Sequence, residues 1–541
     1  MMSIGKLIKS IVSFVIMLVI GLVLFVYWFA SSDRSNDYPV VLDDLVIPEF
    51  DQQSIAFAPT FDGTKTLPFA AGAIVDIDND GVEEIFLGGG IDQPDAIYKY
   101  ENDTFTEITE STGWTKETPD KTFSATSLDL DHDGDNDLLI TRQSGVYLYR
   151  NDNASFSAEK LELDMDSKTV PLSAAIGDIN KDGLYDLYVS GYIAREYVEG
   201  ETIFNQEYGG ISGLFLNLGG DKFENITESA GMQYQHNTFQ SVFIDVDQDQ
   251  LADLVVAHDT GQVRTWKNMG NMTFENMPNP TSDYFSYPMG IGVTDLKNDG
   301  LPDFFFSNVG STVPSGLVRG DLREEQVLNA DWILFNNQGG FEFEDTAEQA
   351  QIADYEFSWG AVFEDFNLDG RDDLVVSENY EGWPLHGLEA LRLNGRFLLQ
   401  NEAGQFMEAG PESGVQNRAY GISPLTADFN LDGYPDLIHV NLLGAQNVFI
   451  SKGGDQGFLK VRLPNTIESI GANVSVQLAD GTKQVRQFVI GEGLVSDQSH
   501  VLIFGLGSQQ ATSILVETLD GKSKELSGEF RNEIVDIEYG S

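Results

Sequence analysis

The stretch Asp129-Leu-Asp-His-Asp-Gly-Asp-Asn-Asp137 puts carboxylates at positions 1, 3, 5 and 9 of a nine-residue loop and glycine at position 6. Asp129, Asp131, Asp133 and Asp137 are thus oxygen donors spaced for a hard cation that takes six to eight oxygens, the chemistry of calcium. Gly134 permits the backbone turn that wraps the loop round the ion. The pattern recurs six more times. Its donors are Asp76, Asp78, Asp80 and Glu84, then Asp178, Asn180, Asp182 and Asp186, then Asp245, Asp247, Asp249 and Asp253. The last three sets are Asp295, Asp299 and Asp303, then Asp365, Asn367, Asp369 and Asp373, then Asp428, Asn430, Asp432 and Asp436. Two copies depart from the pattern: Gln250 replaces glycine in the fourth loop, and Lys297 brings a competing charge to position 3 of the fifth. Those two loops are expected to be weak or empty.

Position 2 is apolar in every copy (Ile77, Leu130, Ile179, Val246, Leu296, Phe366, Phe429), and position 10 opens a short apolar run such as Leu254-Val-Val. Runs of this length beside Gly and Asp read as buried strands, so each loop joins two strands. An EF-hand is excluded, because no Glu stands at position 12 and no amphipathic helices flank the loops. Loop starts lie 49 to 70 residues apart, and Asn- or Gly-containing turns followed by Phe recur between them, as in Leu216-Asn-Leu-Gly-Gly-Asp-Lys-Phe223. About four short strands per interval is a propeller-blade period. The expected fold is all-β: a seven-bladed β-propeller with calcium-binding loops over residues 51–456, then a small β-rich C-terminal domain over 457–541. Residues 52–60 are expected to complete the seventh blade, since an open edge invites mispairing. Insertions fall near 191–213, 309–331 and 378–395.

Residues 11–30 are uncharged and largely apolar, enough for a transmembrane signal-anchor helix, with Lys6 and Lys9 holding a cytoplasmic tail at 1–10. Small residues at Ala30-Ser31-Ser32 leave a cleaved signal peptide as the alternative. A polar tether is expected at 31–50, and the bulk of the chain, as a single-pass membrane protein, in an extracytoplasmic place, periplasmic or cell-surface. The chain has no cysteine, and its formal charge of −55 argues against nucleic acid or anionic lipid as partners.

Residues 61–455 resemble FG-GAP/VCBS-type repeats, the family that includes the propeller of integrin α subunits. That resemblance implies calcium bound through side chains 1, 3, 5 and 9 and a carbonyl at position 7, here those of Val82, Asp135, Leu184, Leu251, Leu301, Arg371 and Tyr434. Residues 458–537 resemble an ASPIC/UnbV domain through Ile470-Gly-Ala-Asn-Val, Gly491-Glu-Gly-Leu, Ser496-Asp-Gln-Ser and Phe504-Gly-Leu-Gly507. The combination resembles bacterial relatives of the cartilage acidic protein family.

No catalytic constellation is legible. The histidines His132, His236, His258, His386, His439 and His500 form no H-x-x-x-H pair, and there is neither a G-x-S-x-G elbow nor a P-loop. His132 is expected in solvent and His439 in the core. Tyr192, Tyr197, Tyr208, Trp332, Tyr380 and Trp383 in the insertions are candidates for a ligand surface, with packing against neighbouring blades as the alternative. Arg319-Gly-Asp321 matches a tripeptide that integrins recognise and reads as a chance match. The expected function is a non-enzymatic, calcium-stabilised module that binds an extracytoplasmic protein or glycan. A hydrolase or lyase acting on polysaccharide or lipid, with its site in the central channel, and a structural part of an envelope complex remain as alternatives. Asp129→Ala or Asp365→Ala is expected to cost stability in calcium and nothing extra under chelator, and substitution of Asp245 or Asp295 to cost little.

Overall fold

The computed structural model describes residues 4–31, 38–43, 45–116, 118–198, 209–310, 326–382 and 386–539. Apart from a helix at Ile4–Ser31 and a few single helical turns, it is all-β. Among the described residues no helix is long and apolar enough to cross a membrane. The transmembrane anchor expected at 11–30, and the cytoplasmic tail and extracytoplasmic placement built on it, therefore do not hold. The tether is also shorter than expected: Leu42, Leu45 and Ile47 pack on the cluster of Phe50, Phe366 and Phe397.

Seven sheets of four or five strands follow one another along the chain. Their first strands, Gly72–Val75, Thr122–Leu128, Thr169–Gly177, Thr238–Ile244, Ile291–Thr294, Ser358–Glu364 and Gly421–Ala427, are almost wholly buried. Each adjoins the first strand of the next sheet, and Gly421–Ala427 adjoins Gly72–Val75, so the succession returns on itself. Crowding at the inner edge explains the small residues there. A Cβ on Gly290 would lie 2.7 Å from Gly360 Cα, and one on Gly72 would lie 2.6 Å from a Val440 methyl.

The last sheet takes its outer strand from the start of the chain. Phe50–Ile55 pairs antiparallel with Gln446–Ser451, Phe50 opposite Ser451 and Ile55 opposite Gln446. The strand expected at 52–60 is thus placed at 50–55, two residues earlier and shorter. Beyond Ser451, two small sheets form the C-terminal domain, one around Gly457–Arg462 and one around Asn473–Leu478.

Candidate functional site

Every acidic loop leaves the first strand of its sheet and enters the second, so all seven lie on one face. Their internal hydrogen bonds repeat. In the second loop Asp129 accepts the N–H groups of Asp133 (3.2 Å) and Gly134 (3.0 Å), and Asp133 accepts that of Asp135 (2.9 Å). Position 9 ties the loop to the rest of its sheet. Asp137 takes the Leu130 N–H at 3.1 Å on one oxygen and the Asn151 N–H, from the third strand, at 2.8 Å on the other. Asp253 does the same with Val246 (3.0 Å) and Asn268 (2.8 Å), and Asp303 with Leu296 (2.9 Å) and Asn337 (2.7 Å). The third-strand Asn then reaches the preceding sheet's loop: Asn151 donates to Ile77 O at 2.9 Å, Asn268 to Ile179 O at 3.0 Å, and Asn337 to Val246 O at 2.9 Å. Sequence reading took these Asn residues for turn formers only. Asn268 and Asn337 each stand two residues ahead of a glycine, Gly270 and Gly339, which was the available signal; Asn151 has no such glycine.

Backbone conformation is equally regular. Position 6 has positive φ in all seven loops, and Gln250 adopts φ 68° and still donates to Asp245. Position 4 is left-handed too, as at His132 (φ 62°), which is exposed, and at Leu368 (φ 55°). A non-glycine residue there costs on the order of 1 kcal/mol, so the loop geometry is held against a local preference.

Burial dominates the electrostatics. It lifts the position-9 carboxyls of Glu84, Asp137, Asp186 and Asp303 to about 7 and that of Asp253 to about 8, against the backbone donors that pull the other way. It also raises Asp245 and Asp295 at position 1 to about 6. Of these carboxyls only Glu84 has a basic side chain within ion-pair distance among the described residues. Ligand atoms from positions 1, 3 and 9 come within 4.8 Å of one another in three loops, at Asp76/Asp78/Glu84, Asp129/Asp131/Asp137 and Asp245/Asp247/Asp253. Asp76 Oδ1 and Asp247 Oδ1 are buried with no hydrogen-bond partner. An all-oxygen set with unspent acceptors fits a calcium-sized cation. Basic side chains lie at the same carboxylates. Lys99 Nζ is 2.9 Å from Asp78, 2.8 Å from Asp80 and 2.7 Å from Glu84. Lys267 contacts Asp247 and Asp249, Arg150 contacts Asp131, and Arg371 contacts Asp369 in its own loop. Lys297, the competitor expected from sequence, makes no ion pair among the described residues.

The C-terminal domain sits on this loop face. Lys460 pairs with Asp428, Arg486 lies 2.5 Å from Asp372, Asp129 N donates to Asn465 O at 2.8 Å, and Lys181 donates to Leu519 O at 2.9 Å. A cavity of about 360 Å³ remains between the domain and the first two loops, bordered by Asp76, Glu83, Asp129, Arg462 and His500. From the domain, residues 491–498 enter the centre of the ring. Ser496–Asp497 adds a parallel strand to the first sheet. Gly493 and Ile291 exchange backbone hydrogen bonds of 2.7 and 2.8 Å, Asp497 accepts from Ser127 N at 2.7 Å, and Ser496 and Ser423 share a hydroxyl contact at 2.8 Å. Leu494 and Val495 are wholly buried in the cluster of Phe69, Phe239 and Trp359, whose rings meet edge to face with centroids 5.7 to 6.2 Å apart. Nothing in sequence reading anticipated this. An apolar pair between Gly493 and a Ser-Asp-Gln run was the only local sign.

The insertions join second to third strands and so lie on the face opposite the acidic loops. Trp332 is buried, stacked on Tyr355 and bonded to Glu356 O at 3.0 Å, and Tyr192 is buried on Asp259. Tyr380 stacks on Phe357. These three pack against neighbours; Tyr197 is 41% exposed. Tyr208, Trp383 and Arg319-Gly-Asp321 lie outside the described residues. His439 is buried against Ser377, its imidazole held to about 3 by burial.

The FG-GAP-like repeat family matches residues 76–140, 129–189 and 245–306, and the ASPIC and UnbV family matches 464–541. The chain carries FG-GAP-like repeats and an ASPIC and UnbV domain. It is similar to cartilage acidic protein 1 of Xenopus tropicalis, 23% identical over 554 residues that cover 94% of this chain and 78% of the relative. It is also similar to cartilage acidic protein 1 of Mus musculus, 23% identical over 519 residues, 89% and 75% covered. Solved structures that it resembles include YCF48 bound to a D1 peptide (TM-score 0.41, 9% identity, 75% of this chain and 98% of that one). Another is the Dos1 propeller (TM-score 0.39, 10% identity, 77% and 98%). The family match starts at residue 464, two residues past the domain's first strand, Gly457–Arg462, which carries Lys460 to Asp428.

Proposed function

We propose that the seven FG-GAP-like sheets are the blades of one propeller, that their loops carry calcium, and that the assembly is an interaction module for a protein, or for glycan borne on one. The observation that carries this reading is the occupancy of the centre. Phe69, Phe239 and Trp359 meet there, and residues 491–498 run through the centre to the far ends of the first strands, which leaves an axial catalytic site no room. The loop face is covered by the ASPIC/UnbV domain, so the opposite face with its insertions is the one offered to a partner. Calcium is the occupant that best answers the buried carboxyls, the unspent acceptors and the all-oxygen donor set.

The test uses the full chain immobilised in millimolar calcium, beside a form with residues 195–212 replaced by a short Gly-Ser link. Both are exposed to extract of the source cells and their medium, washed, and eluted with chelator. A discrete protein retained by the full chain and lost with the insertion supports the reading. Equal retention by both forms, or no metal detected by elemental analysis of either, overturns it.

A further inference from the structure

Lys99, Arg150 and Lys267 stand at one and the same place in three sheets. Each follows the third-strand residue that pairs with loop position 10: Tyr98 with Ile85, Tyr149 with Leu138, and Trp266 with Leu254. That geometry sets the base across the strand pair from position 9 and over the loop. In the remaining sheets the same place holds Leu216, Asn336, Leu399 and Ile450. The three loops so covered are also the three whose carboxylates at positions 1, 3 and 9 converge. Lys99 alone touches Asp78, Asp80 and Glu84, each within 2.9 Å, with its own side chain only 16% exposed.

We propose that Lys99, Arg150 and Lys267 are tethered counter-ions that grade the seven loops. They neutralise loops one, two and four when metal is scarce, and calcium enters those loops only by expelling the base. Loop three, whose ligands Asp178, Asn180 and Asp182 make no ion pair among the described residues, with Lys181 turned to Leu519 O and Lys522 paired to Asp520, takes calcium without a tethered rival. A charge within 3 Å of two or three carboxylates is worth more there than at an open surface, because half-buried pairs are screened less. This rests on the calcium reading above and assigns the residues that would set affinity within it.

The experiment titrates the full chain with calcium alone, by calorimetry in metal-free buffer, for the unaltered protein and for Lys99→Met, Lys267→Met and Asp178→Ala. Methionine keeps the apolar stem and removes the charge. Each Lys→Met form is expected to gain about tenfold or more in affinity at one site, and to melt lower than the unaltered chain in chelator but not in calcium. Asp178→Ala is expected to lose the tightest site. Unchanged or weaker binding in both Lys→Met forms overturns the proposal, since the base would then be supporting the ion. If the unaltered chain binds no calcium and Asp178→Ala is silent, the calcium reading itself fails and the proposal falls with it. A variant too unstable to purify without metal is refolded with calcium, and the metal concentration at half-recovery gives the same comparison.

Discussion

A single carboxylate in each loop has two duties that substitution can separate. Position 9 ties the loop to the third strand, whereas Asp247 at position 3 of the fourth loop accepts no backbone N–H among the described residues and is met by Lys267 alone. Asp253→Ala is therefore expected to destabilise by roughly 2–4 kcal/mol in chelator as well as in calcium, since two buried N–H groups lose their carboxyl acceptor. Asp247→Ala should cost far less in chelator; denaturant melts of both forms, with and without metal, check this. The same argument revises the expectation for Asp129, whose carboxylate holds two loop N–H groups and so matters without metal. Lys121 is a second residue-scale case. It is wholly buried with no hydrogen-bond partner, 5.0 Å above the Phe61 ring, and burial beside Lys116 pulls its amine to about 7. Its unfolded value is near 10.5, so the folded chain binds fewer protons than the unfolded one between pH 7 and 10.5, and stability rises with pH across that window. Lys121→Met should therefore stabilise by about 1–3 kcal/mol below pH 7, the gain shrinking towards pH 10.5. Thermal melts at pH 6 and pH 9 would show it.

At the scale of elements, the repeat was legible because oxygen-bearing side chains recur at fixed spacing around a turn, and position 2 and position 10 located both flanking strands. The last sheet's borrowed strand was also within reach, by counting. Its exact place, Phe50–Ile55, was not, since Gln52-Gln53-Ser54 has weak strand character until Gln446–Ser451 offers its edge. The bases that cover loops one, two and four escaped notice because they come from the third strand, remote in sequence from the carboxylates they meet. The N-terminal stretch misled by composition: apolar length alone suggested a span. Removing residues 1–57 should leave the Gln446–Ser451 edge unpaired, lowering the melting midpoint and promoting association. Removing only residues 1–40 should leave the midpoint within a few degrees. Light scattering alongside the melts distinguishes the two.

In the whole molecule, the C-terminal domain is part of the ring's interior as well as a neighbour of it. Leu494→Ala is expected to cost about 2–5 kcal/mol, the range for a buried leucine in a packed core. The loss should appear in the propeller's own unfolding, read by the fluorescence of Trp359 at the hub. Independent unfolding of the two parts, with Trp359 unmoved, would contradict this account. The arrangement also has a consequence during synthesis. Residues 491–498 are made after every other strand of the seven sheets whose hub they cover, the last of which ends at Ser451. Until they emerge, Phe69, Phe239 and Trp359 lack their cap and the first sheet lacks its added strand. A polypeptide cut short, whether by a stalled ribosome or a premature stop, keeps an apolar centre open to chaperones and proteases. Emergence of residues 491–498 is thus something the cell can recognise at the hub, with no label beyond the missing segment.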